Sequence, residues 1–283
     1  MKNIAIITDT NSSIPNEIAS QFSITKIPIL IQFGEESYTT GVDIDDGKLF
    51  EMIDDRNVLP TTAAPSPAAF QQAFQKAFQE GAEGIICVCC SSKVSATYNA
   101  ALLAAEEFPG KDISVVDSLQ LTLGEGFQVL GAAEAIADGA SQQEALQVIE
   151  DIRIKTHVYA ALPTLKYLAM GGRMGKLAAG LADTISIKPI LTIQDGKLEL
   201  LEKIRTWGKA RKRLVHLAEE CTEELEIKKI GLPHVNNPEG AALLFEDLKE
   251  VLSITQEPLI SEFSPGLSVH SGAGFIGYVI VTS

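Results

Sequence analysis

Ile85-Ile86-Cys87-Val88-Cys89-Cys90-Ser91-Ser92 is the stretch whose reading decides the fold: a run of apolar residues stops without transition at two hydroxyls. A strand buried on both faces carries such a run, because neither face has to alternate with solvent. Two further segments have the same form. Ile4 to Ile7 leads into Asp9-Thr10-Asn11-Ser12-Ser13, and Ile113 to Val116 leads into Asp117-Ser118. In open α/β sheets ligands sit in the crevice beyond the carboxyl ends of the strands. Three polar loops in that position therefore predict a site for something polar.

Helical patterns separate these runs. Pro15 to Phe22 predicts a short helix, Phe70, Phe74 and Phe78 recur on one face of another, and further helices are expected over Thr97 to Phe108, Gly124 to Asp138 and Ser141 to Lys155. Ser141 with Glu144 forms a capping box in front of the last of these. The alternation predicts a doubly wound parallel sheet over residues 1–160. Two short strands around Phe33-Gly34-Glu35-Glu36-Ser37 add a small hairpin flap at about residues 27–55. Residues 161–283 read differently. An Asp195-Gly196 turn joins two strands, helices are expected at about 208–222 and 238–252, and strands at 228–232, 258–262 and 275–282. The expected architecture is a two-lobed α/β protein whose second lobe is α+β with a mixed sheet.

Composition removes several function classes. The net charge of −14 leaves little lysine and arginine to neutralise phosphates, so a nucleic-acid partner is not expected. No stretch approaches the ~20 apolar residues of a membrane span, and the N-terminal run meets Asp9 too early for a secretory segment. A cytoplasmic protein with buried free thiols is expected, since Cys87, Cys89, Cys90 and Cys221 have neither disulfide-framework nor zinc-site spacing.

Other motifs divide into those that carry chemistry and those that do not. Tyr167 to Lys176 contains Gly171-Gly172-Arg173 but lacks phosphate-loop spacing, with Leu177 where a magnesium-binding hydroxyl is needed. Asp43-Ile44-Asp45-Asp46-Gly47 departs from the calcium loop and reads as a solvated acidic turn. Leu59 to Pro67 is a proline-punctuated loop, with Ser66 at N-cap and Pro67 at N1 of the phenylalanine-faced helix. Its prolines either serve the helix start alone or hold Thr61 and Thr62 toward the crevice. Ser91 to Thr97 opens a helix whose N-terminal N–H groups and Ser95 hydroxyl suit an anion, although Ser95 is equally at home as an N-cap. His157, His216 and His234 have no spaced partners. His270 precedes Ser271-Gly272-Ala273-Gly274, a flexible turn into the last strand. Ser95, His270 and Asp117 would supply a hydrolase triad, but no G-x-S-x-G elbow accompanies them.

Taken in order, Ile7-Thr8-Asp9-Thr10-Asn11-Ser12, Tyr38 to Asp43, Pro60 to Pro67, Ser91 to Tyr98, Val116-Asp117-Ser118, Gly171-Gly172-Arg173, Ile204-Arg205-Thr206 and His270 to Gly274 resemble the DegV family of bacterial fatty-acid-binding proteins, carrier subunits of fatty acid kinase. The resemblance spans essentially the whole chain. It implies one long-chain fatty acid in a tunnel between two lobes, its carboxyl hydrogen-bonded by Thr62, Ser95 and His270 with the backbone of Ala96. It also implies that Arg173 and Arg205 meet an acyl phosphate or the kinase. No catalytic residue, metal or resident cofactor is implied; the partners are the fatty acid, a separate kinase subunit and, transiently, a membrane. Departures from the family pattern are Ala63-Ala64, Ala96 and Ala273-Gly274-Phe275, of which Ala96 adds a methyl beside the carboxylate position. A hydrolase using the same crevice, or a lipid-responsive regulator, are the competing classes.

Overall fold

The computed structural model describes residues 3–173 and 187–283, so the Met174–Lys176 end of the glycine-rich run lies outside the described residues. In chain order the elements begin with β1 (Ile4–Asp9), α1 (Asn16–Gln21), β2 (Thr25–Ile27), β3 (Leu30–Phe33), β4 (Glu36–Thr39), α2 (Asp46–Arg56) and β5 (Thr61–Ala63). They continue with α3 (Pro67–Gln79), β6 (Gly84–Cys89), α4 (Thr97–Ala105), β7 (Asp112–Asp117), α5 (Leu123–Ala137), α6 (Gln142–Ile154), β8 (Thr156–Ala161) and α7 (Lys166–Met170). The last are β9 (Lys188–Gln194), β10 (Lys197–Ile204), α8 (Trp207–Cys221), β11 (Ile227–His234), α9 (Pro238–Val251), β12 (Leu259–Glu262), α10 (Pro265–Ser271) and β13 (Ile276–Thr282). Among the described residues no helix is long and apolar enough to cross a membrane.

The chain divides into two compact units, Met1–Leu30 with Ala63–Ile154 and Ile31–Thr62 with Lys155–Ser283. The first is built on a parallel sheet of order β2-β1-β6-β7. Ile7 from β1 and Ile85, Cys87 and Cys89 from β6 face a layer made by Phe70 and Phe74 of α3 and Ala100, Ala101 and Ala104 of α4. Side chains alternate along a strand, so Thr8 points the other way, and its hydroxyl donates to Glu125 of α5 at 3.0 Å. Helices therefore cover both faces, as the continuous apolar runs demand. The capping box is present, with Ser141 N donating to Glu144 at 2.8 Å and Glu144 N to Ser141 Oγ at 3.3 Å.

The second unit carries a mixed sheet of order β10-β9-β8-β13-β11-β12, in which only the β11–β12 pair is parallel. Asp195 and Gly196 join β9 to β10 with φ of 48° and 77°, the positive pair that a two-residue hairpin turn requires. Ala210, Leu214 and Leu217 of α8 and Ala241, Leu244 and Leu248 of α9 close on Ile230, Leu232, Tyr278 and Ile280 of the sheet.

The excursion expected as a hairpin flap of the first lobe is larger and is grouped otherwise. β4-β3-β5 is a three-stranded sheet, and apart from Leu30 and Ala63 it belongs to the second unit with α2. The reason is its apolar set: Ile31, Phe33, Ile44 and Leu49 pack with Val269 of α10. The solvated acidic turn is likewise corrected. Asp45 caps α2 by accepting from Lys48 N at 2.8 Å, which turns the next residue inward. Asp46 is only 4% exposed and accepts a 2.6 Å hydrogen bond from Ser268 Oγ of α10, while its other oxygen has no partner.

Burial pushes the Asp46 carboxyl up to about 7, with Glu262 and Asp45 adding to the rise and the Ser268 bond opposing it. The fold thus favours the protonated acid. Stability from this group is full below the ordinary carboxylate range and is lost as pH rises through about 7. Asp46→Asn is expected to flatten that decline; urea midpoints of both proteins across the interval check it, and an unchanged slope rejects the assignment.

Candidate functional site

In the second unit β5 delivers Thr62 and the last turn of α10 delivers His270, and the two meet with Thr62 Oγ1 3.0 Å from His270 Nε2. Sequence reading placed His270 just before a flexible turn; it lies in the last turn of a helix, unforeseen in the sequence, that starts at Pro265 after Ser264 and runs to Ser271. Both side chains are half-buried. The other face of the imidazole meets backbone: a Cβ at Gly171 would stand 2.2 Å from His270 Nδ1. That close approach requires glycine, and it leaves Nδ1 buried without a hydrogen-bond partner. Gly272, at φ 80°, brings its backbone against the Tyr167 ring of α7, where a Cβ would come within 2.4 Å. Gly171, Tyr167, His270 and Gly272 thus form one interlocked cluster.

Burial lowers His270 to about 4, with the Arg173 guanidinium acting in the same direction. At neutral pH the ring is therefore uncharged, and one of its nitrogens carries the only N–H. Arg173 turns back to donate from Nη1 to Gly171 O at 2.7 Å, which fixes the turn that packs on the imidazole. Arg205 lies apart from this group. It is exposed between β10 and the Thr206 cap of α8, and it shares no hydrogen bond or ion pair with Thr62, Arg173 or His270.

In the first unit Ser95 precedes α4. Its hydroxyl lies 2.8 Å from Thr97 Oγ1 and accepts from Thr97 N at 3.3 Å, but the N-cap position belongs to Ala96, which makes no side-chain cap, so Ser95 is not the N-cap that the sequence allowed. Ala96 follows it, exposed, at the point where first-turn N–H groups lack an intrahelical acceptor. Several polar groups beyond the strands tie the loops together. Asp117 Oδ1 accepts from Ser92 N and Leu119 N at 3.0 and 3.2 Å, Ser12 Oγ donates to Asp9 O at 2.8 Å, and Ser118 Oγ donates to Gln120 O at 3.1 Å. None of these is a triad bond: Asp117 Oδ1 binds backbone N–H groups, and His270 Nε2 is paired with Thr62. Of the remaining histidines, His216 is exposed beside Glu219 and Glu220, His157 lies 3.5 Å from Thr282 Oγ1, and His234 accepts from Asn237 N.

Sequence reading missed two groups. Asp46 and Ser268 anchor the α10 helix that presents His270, and Ser264-Pro265 repeats the Ser66-Pro67 helix-start signal and could have revealed α10. Asp9, Cys90 and Glu125 form a fully buried cluster in the first unit whose possible ligand atoms lie within 4.8 Å of one another, and no local spacing announces it.

Gly171→Ala is expected to displace the imidazole and to destabilise the second unit by about 1–3 kcal/mol, the usual cost of overpacking. Unfolding midpoints measure it, and histidine NMR shifts report whether His270 has moved. A substitution neutral in both means the backbone approach is not tight.

A sequence profile for the family described as "Uncharacterised protein, DegV family" matches residues 3–283. Protein DegV of Bacillus subtilis is 30% identical over 276 residues, covering 97% of this chain and 98% of its own. A DegV domain-containing protein of Streptomyces coelicolor is 30% identical over 279 residues, covering 99% and 98%. Among solved structures, the chain is similar to DegV, a fatty acid binding protein from Bacillus subtilis, at 28% identity and TM-score 0.90 with full coverage of both. It is also similar to a DegV family protein from Thermus thermophilus described for its fatty acid binding, at 26% identity and TM-score 0.91, covering 99% of this chain and 100% of the other. With a match along nearly its whole length, the chain belongs to the DegV family.

Proposed function

We propose that this protein binds one long-chain fatty acid and presents its carboxyl to a separate kinase that forms the acyl phosphate. The observation that carries the reading is the Thr62–His270 pair, a hydroxyl and an uncharged imidazole held 3.0 Å apart by a backbone that leaves the ring no slack. Neutral donors suit a carboxylate head that must be hydrogen-bonded without an ion-pair partner. The fatty acid binding of the Bacillus subtilis and Thermus thermophilus proteins supports the same ligand class. In the proposal Ser95 and the Ala96 amide add donors to the head, and the alkyl tail is buried in a tunnel.

The division of labour follows from magnitudes. Each buried methylene contributes ~0.8 kcal/mol, so even ten contribute on the order of 8 kcal/mol before ordering costs. The tail supplies most of the affinity, while the polar groups aim the head and prevent a buried, unpaired carboxylate. Phosphoryl transfer needs a nucleotide site with metal ions, which this reading assigns to the partner. Arg205, exposed and outside the His270 cluster, is assigned to the acyl phosphate or to kinase docking. Arg173 is assigned first to holding the Gly171 turn.

Mass spectrometry of lipid extracted from the purified protein is expected to give one fatty acid per chain. Thr62→Ala, Ser95→Ala and His270→Ala are each expected to weaken retention by roughly 1.5–3 kcal/mol, about 10- to 100-fold. Arg205→Ala is expected to slow phosphorylation by a cognate fatty acid kinase while sparing retention. Normal retention in all three alanine variants removes the site, and equal loss of retention and transfer in the arginine variant removes its docking role.

A further inference from the structure

Asp9 and Glu125 meet in the interior of the first unit with neither exposed to solvent. Asp9 ends β1, and its two oxygens accept from Asn11 N at 2.8 Å and Cys90 N at 3.0 Å. Glu125 lies in the first turn of α5, where Oε1 accepts from Thr8 Oγ1 and Oε2 is buried with no partner. Among the described residues neither carboxyl group has an ion-pair partner. The titratable group that shares their cluster is the Cys90 thiol just after β6, while the thiols of Cys87 and Cys89 on the opposite face of the sheet act on the pair only through space, and Asn11 Nδ2 points to Cys90 Sγ at 3.5 Å. Two buried carboxyl groups whose oxygens lie within 4.8 Å, with no cationic side chain paired to either among the described residues, strongly disfavour double ionisation.

We propose that Asp9 and Glu125 share one proton at neutral pH, held on Glu125 and donated to the Asp9 carboxylate, and that this proton clasps the β1 and β6 loops to α5. The donor sets decide its place. Asp9 already receives two backbone N–H groups, which favour its charged form, whereas Glu125 receives one hydroxyl and keeps an oxygen free to bear hydrogen. Burial raises both groups, Glu125 well above its ordinary range, and the backbone bonds pull Asp9 back. Folding therefore takes up a proton across the neutral range. The shared-proton clasp exists between the two titration steps of the pair and is lost as pH rises through the upper one. Loss of the proton sets two anions against each other beneath the Cys90 amide, which releases the loop running from Cys90 to Ser95. Only the consequence for Ser95 as a carboxyl ligand rests on the fatty-acid reading; the proton itself does not.

The test is infrared spectroscopy of the whole protein at neutral pH together with Glu125→Gln, whose amide N–H replaces the acid O–H as donor to Asp9. The wild type is expected to show a buried carboxylic-acid C=O band that Glu125→Gln removes. It is also expected to show hydrogen exchange in the Cys90–Ser95 loop that accelerates, beyond the intrinsic rate, from neutral to alkaline pH in the wild type but not in the variant. Absence of the band, or a band unchanged in Glu125→Gln, overturns the proposal, as does a stoichiometric divalent metal found by elemental analysis at this cluster. If Glu125→Gln fails to fold, Asp9→Asn on the wild-type background serves instead, and persistence of alkaline loosening there overturns it. Lipid retention enters none of these readouts, so failure of the clasp and failure of the fatty-acid reading remain separable.

Discussion

The contact between the Gly171 backbone and the His270 imidazole constrains everything around the candidate site. A ring pressed against a main chain on one side and hydrogen-bonded to Thr62 on the other has one position available. Its neighbours serve that position. Arg173 folds back to hold the Gly171 carbonyl, Gly272 admits the Tyr167 ring, and Ser268, two residues before the histidine, is bonded to Asp46. In the proposed binding role such preorganisation lowers the ordering cost, because the groups assigned to the carboxyl are already fixed.

The first unit reaches order by a different route. Its polar loops sit where parallel-sheet ligands usually bind, yet their side chains largely close on one another and on backbone N–H groups. Asp117, accepting from Ser92 N, and the backbone bonds from Ser91 N to Gln120 O and from Ser118 N to Cys89 O stitch the ends of β6 and β7 together, while the Ser91 and Ser118 hydroxyls bond within their own loops. Polar composition at strand ends is therefore ambiguous between a binding site and the internal pairing that any buried loop needs.

That ambiguity explains what could be read in the sequence. The three buried runs, the phenylalanine-faced helix, the Ser141–Glu144 box and the Asp195-Gly196 turn were legible because each depends on residues adjacent or nearly adjacent in the chain. Helix α2 was hidden because its sequence, DGKLFEMIDDR, is rich in acids and only Leu49 and Asp46 are fully inside. Asp46 looked like a surface charge, since nothing local announces a partner 222 residues later. The strand at Thr61–Ala63 was masked by flanking prolines that read as loop. Among the site residues, the order of short motifs brought Thr62 and His270 to notice, whereas the tightness of Gly171 against the ring is a three-dimensional fact with no linear trace.

The Thr62–His270 contact has one more implication, for vectorial synthesis. Thr62 precedes its partner by 208 residues, so at about 5–20 residues per second the hydroxyl emerges from the ribosome roughly 10–40 s before the imidazole exists. During that interval the strands and helices up to Ile154 are all available to assemble, while the segment Ile31–Thr62 has yet to meet the chain that completes its core. Its edge strands β4 and β5 wait unshielded, a hazard for nascent chains. The finished protein thus inherits its most constrained contact from the last event of its own birth.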